Sequence, residues 1–179
     1  KRQTLSTKGW TDGMIIKYTK EGEVEWATSV GEKSLDSLKS IATTEDGGFI
    51  VVGSFESRNI TVGDYTLSNK GRADGMIIKY KPATSGKGYE VEWATSVGGE
   101  FNDELNSIEV TADGGFIVTG KFELSIKVGD YTLSNKGGYD GMIIKYKPAS
   151  SGSGYEVEWA TSVGGKSNDY IESVAQTVD

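Results

Sequence analysis

Apolar residues in this chain fall in short runs, and none recurs at the three-and-four spacing that would stripe one face of a helix. The pattern therefore predicts strands only. In the best-defined stretch, Leu38–Thr44 (A) is a β-prone run and Glu45-Asp-Gly-Gly48 is a turn. Phe49–Phe55 (B) is apolar almost throughout, and Asp74-Gly75 leads into Met76–Tyr80 (C). After a Gly/Ser loop from Pro82 to Gly88, Glu90–Val97 (D) alternates: Val91, Trp93, Thr95 and Val97 share one face, and Glu90, Glu92, Ala94 and Ser96 the other. Ile60–Val62 and Tyr65–Leu67 flank Gly63-Asp64 as an extra hairpin between B and C. A strand apolar on both faces, as B is, belongs to a sheet stacked between two others.

The same text is written almost three times. Asp74–Tyr80 recurs at 140–146 and at 12–18, and Glu92–Gly98 recurs at 158–164 and 25–31. Asp113–Val118 matches 46–51, and Gly129–Gly137 matches 63–71. Asp74 and Asp140 stand 66 positions apart, a period typical of propellers and solenoids. The repeats run approximately 12–73, 74–139 and 140–179 within one domain, 1–179. They supply C and D in 13–30, full sets in 38–97 and 105–163, and an A strand at 171–178. Four short strands per repeat predict an all-β fold of propeller blades, each a four-stranded antiparallel sheet plus the inserted hairpin. Fewer than three repeats leave the ring incomplete unless missing sequence or other chains close it.

The set Asp-Gly-x-Ile-Ile-Lys-Tyr, Glu-Trp-Ala-Thr-Ser-Val-Gly-Gly, Asn-Asp-x-x-x-Ser-Ile and Asp-Gly-Gly-Phe-Ile-Val-x-Gly resembles the bacterial seven-bladed β-propeller repeat abbreviated SBBP. The resemblance covers essentially the whole chain. It implies an exported or surface-attached bacterial protein, with extracellular or cell-surface localisation. The extra hairpin departs from the family pattern, so blade number does not carry over.

Composition narrows the partners. The formal charge is −7, from 26 acidic and 19 basic residues, with no basic run, which disfavours nucleic acid and anionic lipid. No apolar run approaches the ~20 residues of a membrane helix, so no membrane insertion is expected. Cys and His are absent, which removes thiol chemistry, imidazole catalysis and most zinc sites.

The repeated residues read mainly as scaffold. Trp26, Trp93 and Trp159 are expected to fill seams between neighbouring sheets. Lys17, Lys79 and Lys145 interrupt the apolar strand C; a two-residue turn at Glu21-Gly22 puts Lys17 across from Trp26, and the lysine stem is expected to lie on the indole with its ammonium exposed. Asp46 and Asp113 suit turns better than calcium, and Asp12, Asp74 and Asp140, each before Gly, read as turn residues too. The glutamates of strand D read as protection of an outer edge. No cofactor or metal is called for.

The repeats disagree mainly at the D–A loops (32–36, 99–103, 165–169) and around the B–C connection. In an antiparallel meander these emerge at one end of the sheets, and the A–B and C–D loops at the other. Candidate ligand-binding residues are Trp10, Arg72, Tyr139, Phe101, Asn102, Asp103, Arg58 and Tyr170, several of them types that anchor interfaces. Neutral drift of exposed loops accounts for the same variation. The expected function is a non-catalytic recognition or adhesion module for a protein or glycan ligand. The alternative is a structural self-assembling unit, an oligomer or fibre in which a homo-oligomer completes the ring. A carboxylate-based glycan hydrolase or lyase is less favoured.

Overall fold

A computed structural model, which describes residues 4–177, is all β. Its twelve strands are β1 (Gly13–Tyr18), β2 (Val24–Val30), β3 (Asp36–Thr43), β4 (Phe49–Phe55), β5 (Asn59–Val62), β6 (Tyr65–Ser68), β7 (Asp74–Pro82), β8 (Tyr89–Val97), β9 (Glu104–Val110), β10 (Phe116–Val128), β11 (Tyr131–Pro148) and β12 (Tyr155–Val163). No helix occurs among the described residues. Two four-stranded antiparallel sheets, β3-β4-β7-β8 and β9-β10-β11-β12, are flanked by the two-stranded sheet β1-β2. The A, B, C and D runs of the sequence are the four strands of each sheet, in order. The expected A strand at 171–178 is not one: residues 171–177 carry no strand, and 178 lies outside the described residues.

The sheets stack face to face. Ile50, Val52, Ile77 and Val97 of one sheet share a core with Leu105, Phe116, Val118, Phe122, Met142 and Ile144 of the next. The opposite face of the first sheet, with Val51, Phe55, Met76 and Ile78, packs on Ile15 and Val30 of β1-β2. Strand β4 is thus covered on both sides, as its unbroken apolar run requires. Gly53 and Gly120 permit close pairing, because a Cβ there would overlap the Ser37 or Glu104 carbonyl oxygen. In the A–B turns, Gly47 (φ 78°) and Gly114 (φ 77°) occupy the left-handed region.

Strand D does not alternate as its sequence suggests. A bulge places Val91 opposite Tyr80 and Trp93 opposite Lys79, leaving Glu92 over. Val91 therefore packs toward β1-β2, whereas Trp93 packs into the other seam. The same irregularity follows Lys17 and Lys145. The carbonyl of the bulged residue is not idle: the Tyr65 hydroxyl donates to that of Glu92 (2.7 Å) and the Tyr131 hydroxyl to that of Glu158 (2.8 Å). The inserted hairpin is thereby tied to strand D, so the outer edge is covered by a hairpin as well as by charge.

The hairpin differs between repeats. β5-β6 is a separate two-stranded sheet, whereas its counterpart is a direct extension of β10 and β11. The second repeat has one residue fewer between strand B and the hairpin, and the join is made by Leu124 at φ 62°.

Two expectations for charged residues fail. Lys79 and Lys145 do lie opposite Trp93 and Trp159, but their ammonium groups are buried. Only Lys17 is exposed. Asp74 and Asp140 are fully buried strand residues and not turn residues: Asp74 opens β7 opposite Phe55, and Asp140 pairs with Phe122 within β11.

Candidate functional site

The D–A loops and the B–C connections meet at one end of the sheets. Arg72 N–H donates to the Phe101 carbonyl (3.1 Å), Thr11 N–H to that of Ser34 (3.3 Å) and Asp169 N–H to that of Tyr139 (2.8 Å). Buried aspartates fix these loops from beneath. Asp36 accepts from Glu32, Glu56 and Ser57 backbone N–H groups and from the Ser57 hydroxyl. Asp103 accepts from Gly99 N–H (2.7 Å) and Glu123 N–H (3.1 Å). Burial pushes the Asp103 carboxyl up to about 6 against those hydrogen bonds, and the nearby Asp74 charge adds to the rise. Burial raises Asp74 as well.

Five of the eight sequence candidates do not join a cluster. Trp10 is 85 % exposed and has no aromatic partner among the described residues. Arg58 lines a shallow hollow of about 360 Å³ with Glu32, Lys33, Ser34, Ser57 and Asn59. Arg72 is exposed, and Phe101 beneath it is half-buried. Asp103 is withdrawn from the surface altogether, so its role is to hold the loop.

Asn102, Tyr139 and Tyr170 do come together. The two rings lie 6.0 Å apart, and the Asn102 amide donates to the Tyr139 hydroxyl (3.0 Å). Lys121 completes the group, with Nζ 4.9 Å from the Tyr139 ring centre, 5.3 Å from that of Tyr170 and 3.1 Å from Glu104. Sequence reasoning missed Lys121 and Glu104 because both lie on strands. A signal existed: the corresponding residues one repeat earlier are Ser54 and Ser37, joined by a weak hydroxyl contact at 3.4 Å.

At the other end of the sheets the charged groups serve one another. Lys79 donates to Asp46 (2.7 Å), to the Thr44 hydroxyl (2.9 Å) and to the Tyr80 carbonyl (3.2 Å). Lys145 repeats this with Asp113 (2.8 Å) and Thr111 (2.6 Å). Partial burial acts to raise the Asp46 carboxyl, but the bonds from Lys79, Thr44 and Gly48 hold it at about 2. The Lys145 hydrogen bond holds Asp113 well below the usual carboxylate range. Among the described residues no group of three or more Asp or Glu is placed to hold a metal ion. No protein-family model matches the chain, and no curated protein matches it either.

Proposed function

We propose that the chain consists of β-propeller blades of SBBP-like repeats, that it is exported to a bacterial surface, and that it is a non-catalytic recognition or adhesion module. Face-to-face stacking of four-stranded meanders, with a doubly covered second strand in the first of them, supports the propeller reading. One observation carries the binding reading. On a scaffold whose buried residues barely change between repeats, the loop residues that change lie mainly at one end. There Tyr139, Tyr170, Asn102 and Lys121 form a ring pair with an amide and an ammonium beside it. Trp10 stands free on the same set of loops. Loops on a rigid frame are the usual seat of recognition, and amphipathic rings with polar neighbours suit a protein or glycan ligand. The commitment of Lys79 and Lys145 to internal ion pairs supports a role without catalysis.

The test is a Trp10→Ala/Tyr139→Ala double variant, assayed for attachment to bacterial surfaces and on a glycan array. Attachment should be lost while near-ultraviolet circular dichroism and melting stay close to wild type. Retained attachment would overturn the assignment. Loss of attachment without any glycan signal for the wild type would assign the ligand to protein.

A further inference from the structure

The seam between the two complete sheets is not filled throughout. A hollow of about 170 Å³ lies there, bounded by Trp93 and Thr95 of β8, by Tyr146 and Tyr155 of the next sheet, and by the hairpin tip at Lys127 and Gly129. The preceding seam holds a hollow of about 330 Å³ at the same repeat positions, with Trp26 and Thr28 on one side and Tyr80 and Tyr89 on the other. Both hollows have fixed walls. The Tyr131 and Tyr65 hydroxyls tie the hairpins to strand D, and a Cβ at Gly129 or Gly63 would come within 3.0 or 2.9 Å of Val157 or Val91. A cavity with such walls is formed before any ligand arrives.

One buried polar group in each hollow lacks a partner. Tyr146 is 3 % exposed and Tyr80 4 %, and burial alone raises both hydroxyls, that of Tyr80 to about 12. Neither hydroxyl has a hydrogen-bond partner among the described residues, in contrast to Tyr65 and Tyr131, whose hydroxyls reach carbonyls. Nor are they sealed. Among the described residues the side-chain oxygens both enclosed and unpaired are those of Asp12, Asp74, Thr119 and Asp140. The two phenols therefore open into the hollows they line. A buried hydroxyl without a partner is costly, which favours a ligand that supplies one.

The lining selects the ligand. Rings and hydroxyls are common to both hollows. Charge is not, since Glu90 borders the first and Lys127 the second. The second hollow is smaller than the roughly 300–1,000 Å³ that takes a drug-sized molecule, so a single six-membered ring fits and a peptide segment does not. A flat aromatic ligand would pack on the rings and leave the phenol unpaired. A sugar ring offers C–H groups to the aromatic walls and hydroxyls to the phenol and the threonine. We infer that each seam hollow binds one uncharged pyranose residue, its C–H groups against the indole and tyrosine rings and one of its hydroxyls hydrogen-bonded to Tyr146 or Tyr80. The inference rests on the stacked sheets and not on the loop end assigned to recognition.

The experiment titrates the intact, isotopically labelled protein with the methyl pyranosides of glucose, galactose, mannose and N-acetylglucosamine, and follows amide and indole shifts by nuclear magnetic resonance. Saturable shifts with at least one of the four are expected, with a Kd on the order of 1 mM. They should be confined to 93–97, 127–131 and 155–157 and to the equivalent positions of the preceding seam. Tyr146→Phe removes a hydroxyl alone and should weaken binding at the second seam about fivefold to tenfold while leaving the first unchanged; Tyr80→Phe should do the reverse. Both variants keep the ring stacked on Phe116 or Phe49, so melting should stay close to wild type. The location of the shifts on the wild-type protein tests the site without any variant. The Trp10→Ala/Tyr139→Ala protein should bind the same sugar as wild type does. Glycan binding that survives in it belongs to the seams, and failure at the seams leaves the loop-end reading standing. No saturable shift with any of the four sugars up to ~50 mM, shifts at the loop end instead, or undiminished binding by the two Tyr→Phe proteins would overturn the inference and assign the hollows to water.

Discussion

At the scale of single residues, burial decides how each charge behaves. The same lysine occurs three times, and its environment follows from whether the preceding A–B turn is there to receive it: Lys79 and Lys145 are buried in ion pairs, and Lys17 lies at the surface. Sequence placed Lys17 opposite a tryptophan but could not show that the Lys79 ammonium turns inward, because Thr44 and Asp46 are about 35 positions away and meet Lys79 only through the strand pairing. Asp103 illustrates the reverse error: it looked like a loop ligand and is a buried anchor. Its folded-state value of about 6 lies above the ordinary 3.8. The folded chain therefore holds that proton more tightly than the unfolded one does. The stabilisation is fully present below about pH 4 and is lost as pH rises through about 6. Urea unfolding at several pH values should show a decline on the order of 2–3 kcal/mol across that window, and Asp103→Asn should flatten it. Parallel profiles for the two proteins would refute this origin. Asp46, held at about 2, contributes above its ordinary range and loses its effect only in stronger acid, so it does not mask the measurement.

At the scale of elements, the four-strand unit was legible because apolar runs, Asp-Gly turns and a doubly buried B strand all repeat together. Three details were not. The bulge at Glu92 arises from strand pairing and has no local signature. The hairpin's return to strand D depends on a tyrosine hydroxyl reaching a distant carbonyl. The continuity of β10 and β11 follows from a one-residue shortening whose conformational effect lies in the backbone. That shortening puts Leu124 in the left-handed region, where a side chain costs about 1–2 kcal/mol. Leu124→Gly is accordingly expected to stabilise the protein by about 1 kcal/mol, visible as a higher midpoint in denaturant. A lower midpoint would show that the exposed leucine makes a contribution its surroundings do not reveal.

At the scale of the whole molecule, stability resides in the seams. Trp26 meets Phe49, Tyr80 and Tyr89 of the following sheet at 5.3 to 6.1 Å between rings. Trp93 meets Phe116, Tyr146 and Tyr155 at 5.4 to 6.4 Å. Trp159 has no such partners among the described residues, and Val163 near it is 56 % exposed where Val30 and Val97 are buried. Trp93→Ala should therefore cost about 3–5 kcal/mol and Trp159→Ala under about 1 kcal/mol, read from chemical denaturation. Equal losses would mean that the indoles act within their own sheets and not between them. The seam role of the tryptophans was readable from their recurrence, but the asymmetry among three identical residues was not, since it depends on which neighbours are present.

Trp26 and Trp93 also rest on a loop of the next unit: a side chain at Gly88 would overlap Trp26, and one at Gly154 would overlap Trp93. A tryptophan and the glycine beneath it are thus inherited from adjacent copies and can only drift as a couple. Duplication or loss of a whole 66-residue step creates no new kind of junction, wherever the cut falls. An array built this way is free to lengthen or shorten by recombination between its own near-identical copies, while every internal joint keeps the same chemistry.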